Sequence, residues 1–126
     1  MKKGFTLTEI LIAVILAGIL ASIAVPQLQE HIEKARANEA INYLRMIRTA
    51  QKMYYSKNAA YSNWENLDEM RDNLDVEVSD SNYDFTVRVT EDGFLITATR
   101  NDGSGNTITL DQDGTFGGKS KYTPQN

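Results

Sequence analysis

Glu9 is the one charged side chain in residues 5–25, an otherwise apolar run of 21 residues. A carboxylate inside a membrane span costs about 2.5–3.5 kcal/mol at the centre and less near an end, so an acid kept there marks a function by default. The chemistry open to it is charge pairing, because a lone charge in low dielectric is strongly disfavoured and a partner offsets much of that cost. The other reactive residue types are sparse or scattered. The chain has no cysteine, which removes disulfides, thiol chemistry, cysteine zinc sites and lipoprotein attachment. His31 is the single histidine and lies on a polar stretch, so it lacks the companions a metal or proton-transfer site needs. No nucleophile–base pair, phosphate-cradling loop or metal-ligand cluster is present in the sequence. The reading is therefore a non-enzymatic chain with no catalytic residue, no metal site and no cofactor.

The element that carries Glu9 must be a helix. At ~1.5 Å per residue, residues 5–25 span roughly 31 Å, which matches a bilayer core of about 30 Å. Lys2 and Lys3 precede the run and should stay on the cytoplasmic side, sending the rest of the chain outward. Within the run, Ala17, Gly18, Ala21 and Ser22 form a small-residue patch of the kind that lets helices approach closely. After Pro26 the apolar positions keep helical spacing: Leu28, Ile32 and Ala35, then Ala40, Leu44, Ile47 and Met53 or Tyr54. Gln51 and Lys52 fall among the polar residues between them. The spacing predicts one helix over residues 5–56, with a kink at Pro26. Its length of roughly 78 Å at ~1.5 Å per residue exceeds a small domain's diameter. The first half therefore cannot be covered by the chain's own head and needs an outside cover such as lipid.

Residues 58–76 read as a loop containing a short helix over 64–74, capped by Ser62 or Asn63. The period then changes to two. Strands are predicted at 83–90, 94–100 and 106–110, joined by turns at 91–93 and 101–105. Their apolar face (Phe85, Val87, Val89, Leu95 or Ile96, Ile108, Leu110) should pack on the C-terminal half of the helix. The fold class is α+β: a long N-terminal helix, transmembrane in its first half, packed against a small three- to four-stranded antiparallel sheet. Residues 111–118 read as a turn after the last strand. Their Asp-x-Asp-Gly string also resembles part of a calcium loop, although the further oxygen ligands and terminal Glu of an EF-hand are missing.

Charge is uneven. The net charge is −4 with a pI near 4.9, whereas nucleic-acid binders show a basic face, so nucleic acid is not an expected partner. Residues 58–126 hold 13 acids and 5 bases, and residues 27–57 hold 6 bases and 3 acids. An acidic head and a basic stalk attract one another between copies, or are simply solvated faces. Tyr43, Tyr54, Tyr55, Tyr61 and Trp64 are interleaved with bases. They are read as rings that seat the helix on the sheet and fill the loop after it, in preference to a stacking surface for nucleic acid.

The string Gly4-Phe5-Thr6-Leu7-Thr8-Glu9, the apolar run behind it and Pro26 resemble the class III signal of type IV pilins and type II secretion pseudopilins. The likeness extends in pattern over about the first 55 residues. It implies the pilin fold and cleavage by a membrane prepilin peptidase between Gly4 and Phe5. It also implies N-methylation of Phe5, a docking role for Glu9 in subunit assembly, and a helix bend at Pro26. The family organisation then gives 1–4 as leader, 5–26 as transmembrane and polymerisation segment, 27–57 as amphipathic helix and 58–126 as globular head. Cleavage would leave an α-amine on Phe5, one helical turn from Glu9. The pair closes either within one chain or between neighbouring subunits. The implied function is a structural pilin of a type IV pilus, a homo-oligomeric helical filament. Its partners would be the prepilin peptidase, an assembly platform and, before assembly, inner-membrane lipid. The implied location is the inner membrane for the precursor and an extracellular pilus or periplasmic pseudopilus afterwards. Two alternatives stand beside it. One is the major pseudopilin of a type II secretion system. The other is a secreted soluble binding module released by signal peptidase after Ala24, within Ser22-Ile23-Ala24.

Overall fold

In the computed structural model of the chain, residues 3–74, 76–80 and 82–126 are described. The expected cytoplasmic placement of Lys2 lies outside those residues. Helix α1 runs Leu7–Asn58, 52 residues, and continues through Pro26. It begins two residues later than the spacing predicts, because Thr6 caps it. It ends where Ala59 takes a left-handed φ of 54° and donates its N–H to the Tyr55 carbonyl at 2.8 Å. That single bond is the αL way of closing a helix, and glycine more often occupies the position.

The chain divides into two compact units, residues 1–35 and 36–126. In the first, every large apolar side chain from Phe5 to Ile32 is exposed. A window of α1 there is long and apolar enough to cross a membrane, and none of that window is buried. Apolar surface left bare in this way has to be covered by something other than its own chain.

The second unit builds a core from one face of α1 and one face of a sheet. Strands β1 (Tyr83–Thr90), β2 (Gly93–Arg100), β3 (Thr107–Asp111) and β4 (Phe116–Gly117) form an antiparallel meander in the order β1-β2-β3-β4. The register aligns Val87, Ile96, Leu110 and Phe116 in one row, and Phe85, Ala98 and Ile108 in the next. Alternation puts these rows on one face, where they meet Ala37, Ala40, Ile41, Leu44 and Ile47 of α1. Ile96, not Leu95, points inward, and at the end of the helical stripe Tyr54 is half-buried while Met53 is exposed. The architecture is α+β, a long helix packed through its C-terminal part on a four-stranded antiparallel sheet.

The connecting segment departs from expectation at its cap. Helix α2 runs Leu67–Leu74. Its cap is Asn66, whose Oδ1 accepts the Glu69 N–H at 2.9 Å. Ser62 and Asn63 are occupied elsewhere. Asn63 Oδ1 accepts the Val89 N–H at 2.6 Å, and Trp64 exchanges two backbone bonds with Val87. Residues 63–64 thereby shield the outer edge of β1, a job that competes with capping. The rings behave as fillers: Tyr54 meets Trp64, Tyr61 meets Phe94, and Tyr43 meets Phe85, each edge-on.

Gln51, placed by its type among the polar residues of the stalk, is fully buried. Its Nε2 donates to the Ser62 carbonyl at 2.6 Å and its Oε1 faces the Ser62 N–H at 3.4 Å, so the side chain serves the loop as a strand would. Gln51→Leu strands both Ser62 groups. A loss of about 1–3 kcal/mol is expected, read as a lower unfolding midpoint, and an unchanged midpoint would contradict it.

The segment after β3 is a turn, as expected, but it leads into a fourth strand. Asp111 Oδ1 accepts the N–H groups of Asp113 at 3.0 Å and Thr115 at 2.9 Å, and Gly114 supplies a φ of 90°. The short β4 is paired on its far side by one side chain. Asn126 Oδ1 accepts the Phe116 N–H at 2.7 Å and its Nδ2 donates to the Phe116 carbonyl at 2.9 Å. Without a disulfide, the last residues are held by this clamp and by Ser120, whose N–H donates to Thr107 at 2.9 Å.

Candidate assembly site

Residues 3–6 precede the first helical residue, so the Gly4–Phe5 peptide lies outside α1. A Cβ placed on Gly4 would meet nothing within 4 Å. Phe5 is 85% exposed.

Thr6 is the N-cap. Its Oγ1 accepts the Glu9 N–H at 3.2 Å. In return, Glu9 Oε2 accepts the Thr6 N–H at 2.7 Å and the Thr6 hydroxyl at 3.0 Å. This is a capping box, with two of the helix's orphan donors satisfied reciprocally. The signature Thr-x-x-Glu is legible in residues 6–9, and pairing Glu9 only with an amine overlooked it. The carboxylate is thus already partly satisfied by Thr6 of its own chain. All three bonds leave Oε1 unused, which gives the acid capacity for one more donor. A shallow open groove runs beside it along Phe5, Glu9, Ile10, Ala13, Val14 and Ala17.

The remaining candidates do not converge on this place. Pro26 sits within α1, and His31 is exposed in the same unit. The Asp111 carboxylate is committed to its own turn. Among the described residues no three His, Cys, Asp or Glu gather to hold a metal ion.

An uncovered apolar helix with a partly satisfied acid in its first turn, in a chain that also builds an α+β head, is the arrangement of the pilin class. The chain belongs to the type IV pilin family. The model described as "Type IV minor pilin ComP, DNA uptake sequence receptor" matches residues 26–109, and the prokaryotic N-terminal methylation motif matches residues 1–25. Among curated proteins it resembles the type IV major pilin protein PilA of Myxococcus xanthus, 39% identical over 52% of this chain and 30% of that one. It also resembles the type II secretion system core protein G of Pectobacterium carotovorum, 36% identical over 51% of this chain and 41% of that one. The type IV major fimbrial protein FimA of Dichelobacter nodosus is 42% identical over 40% of this chain and 32% of its own. The aligned part thus spans between 30% and 41% of the length of these relatives. No solved structure matches the chain.

Proposed function

We propose that the chain is a non-catalytic structural subunit of a type IV pilus filament. A prepilin peptidase cuts between Gly4 and Phe5, Phe5 is N-methylated, and the subunit waits in the inner membrane with its N-terminus cytoplasmic. Residues 5–26 then exchange lipid for the same segment of other copies, with a bend at Pro26, while residues 27–57 and 58–126 supply stalk and head. The observation that carries this reading is Glu9, an acid at the start of an apolar helix that its own chain leaves bare.

Cleavage frees an ammonium on Phe5 in the layer that holds Glu9. With Oε2 bonded to Thr6, Oε1 is the atom left to accept an amine. A contact between Glu9 of one copy and Phe5 of the next repeats without closing, and such head-to-tail contacts generate an open helical polymer. The assembly platform that drives the exchange is a separate set of proteins. Electron microscopy of cells lacking the chain should show filaments lost, and their return on complementation. Undiminished filaments in the deletion strain would overturn the proposal.

The similarity to a type II secretion core protein supports a second reading, a pseudopilus subunit of the same architecture. In that case deletion abolishes secretion of exported proteins and leaves surface filaments intact. The family description also names a DNA uptake receptor. Against DNA capture by this chain stands a head with 13 acids and 5 bases, since affinity for DNA comes mainly from cations neutralising phosphates. Duplex DNA is therefore expected to pass the purified full-length chain unretained at physiological salt, and salt-sensitive retention would contradict that.

A further inference from the structure

Three contacts fold the chain back on the end of α1. Ala59, in its left-handed conformation, bonds the Tyr55 carbonyl and turns the backbone. Gln51 then holds Ser62 against the helix through the Ser62 N–H and carbonyl. Phe94 of β2 braces Tyr61, the two rings meeting edge-on with centroids 4.8 Å apart. Together they set the Tyr61 ring on the Tyr55 ring, with centroids 4.5 Å apart and planes inclined by 32°. The other edge-on contacts in the head pair a tyrosine with phenylalanine or tryptophan. Here two phenols lie in contact. Tyr61 is half-buried and held, whereas Tyr55 is 47% exposed and open to a reagent from solution.

We infer that Tyr55 and Tyr61 are a site of oxidative cross-linking, joined within one chain as dityrosine by a haem peroxidase acting with hydrogen peroxide. Each phenol gives up one electron and one proton to become a phenoxyl radical. The two radicals form a carbon–carbon bond between ring carbons beside their hydroxyls. The ring hydrogens at those carbons then move to the oxygens and restore both aromatic rings. Hydrogen peroxide takes up the two electrons and two protons and leaves as two waters, so the chain loses two hydrogen atoms in all. Holding the rings in contact makes the coupling intramolecular, which favours it over encounters between separate chains. The product staples the last turn of α1 to the loop that follows, in a chain without cysteine for a disulfide. The inference stands on the single chain and is independent of the filament reading.

The test uses the purified full-length chain in detergent, dilute, with a haem peroxidase and hydrogen peroxide. Dityrosine fluorescence and intact mass are read on the monomer, and tryptic peptides are mapped. Lys57 lies between the two tyrosines, so trypsin separates their peptides unless the rings are joined. A fluorescent monomer lighter by two hydrogen atoms is expected, with those two peptides linked. Tyr55→Phe and Tyr61→Phe each keep the ring and its packing but should lower the monomer's fluorescence about tenfold or more, whereas Tyr54→Phe leaves it unchanged. The inference is overturned if dityrosine appears only in cross-linked dimers, if the two peptides stay separate, or if Tyr55→Phe keeps the full signal.

Discussion

Glu9→Ala is expected to leave the chain inserted in the membrane and trimmed between Gly4 and Phe5, yet unable to polymerise. In the proposed contact, the substitution removes one partner of a charge pair in an apolar layer. In the proposed filament the Phe5 ammonium of the neighbouring copy would then lack its partner in an apolar layer. Across the many identical contacts of a polymer, such a loss is decisive. The local cost to the helix is smaller: removing the carboxylate half of the capping box leaves the Thr6 N–H without its acceptor at 2.7 Å and frays one turn. Glu9→Gln separates the two effects. Glutamine still serves the N3 position of a capping box but carries no charge, so α1 should start in the same place while filament yield stays low. Quantifying sheared filaments against membrane-embedded, trimmed chain checks both variants. Normal filament yield in Glu9→Ala would remove the docking role.

Gly4→Val should block maturation at its first step. A Cβ at residue 4 touches nothing within 4 Å in the chain, and the residue sits ahead of the helix. The substitution therefore costs the subunit's own structure next to nothing. Any effect must come from a partner that approaches the backbone closely, which is where the missing Cβ of glycine has its use. The expected result is a chain that inserts at native levels, keeps residues 1–4, and contributes no filament because the Phe5 amine is never released. Gel mobility and N-terminal sequencing of the membrane fraction read this directly. A Gly4→Val chain that still begins at Phe5 would show that the peptidase does not need the open backbone.

Much of the fold was legible because its signals are periodic. The uncharged apolar run of residues 10–25, the 3.6-residue stripe through Ala40, Leu44 and Ile47, and the alternation of Phe85 and Val87 each extend over enough residues to be read locally. What escaped depends on partners distant in sequence. Gln51 reads as solvent-facing by type, and only the return of the loop at Ser62 makes it a buried strand substitute. Ser62 and Asn63 are good capping residues by composition, yet they serve Gln51 and the edge of β1, so Asn66 caps α2 instead. Strand β4 is two residues long and is completed by Asn126, ten positions away, which no local pattern reveals. The Thr6–Glu9 box was different, since its spacing is plain in the sequence. It was obscured because an acid in an apolar run directs attention to charge pairing and away from ordinary helix capping.

On the proposed function, a trimmed apolar helix stays in the working protein because its freed end and its acid join one copy to the next. Intact-mass spectrometry of the chain recovered from cells tests this most directly. The expected mass is that of a chain beginning at Phe5 and carrying one added methyl group. A chain beginning at Val25, recovered as a soluble monomer without the helix, would contradict it.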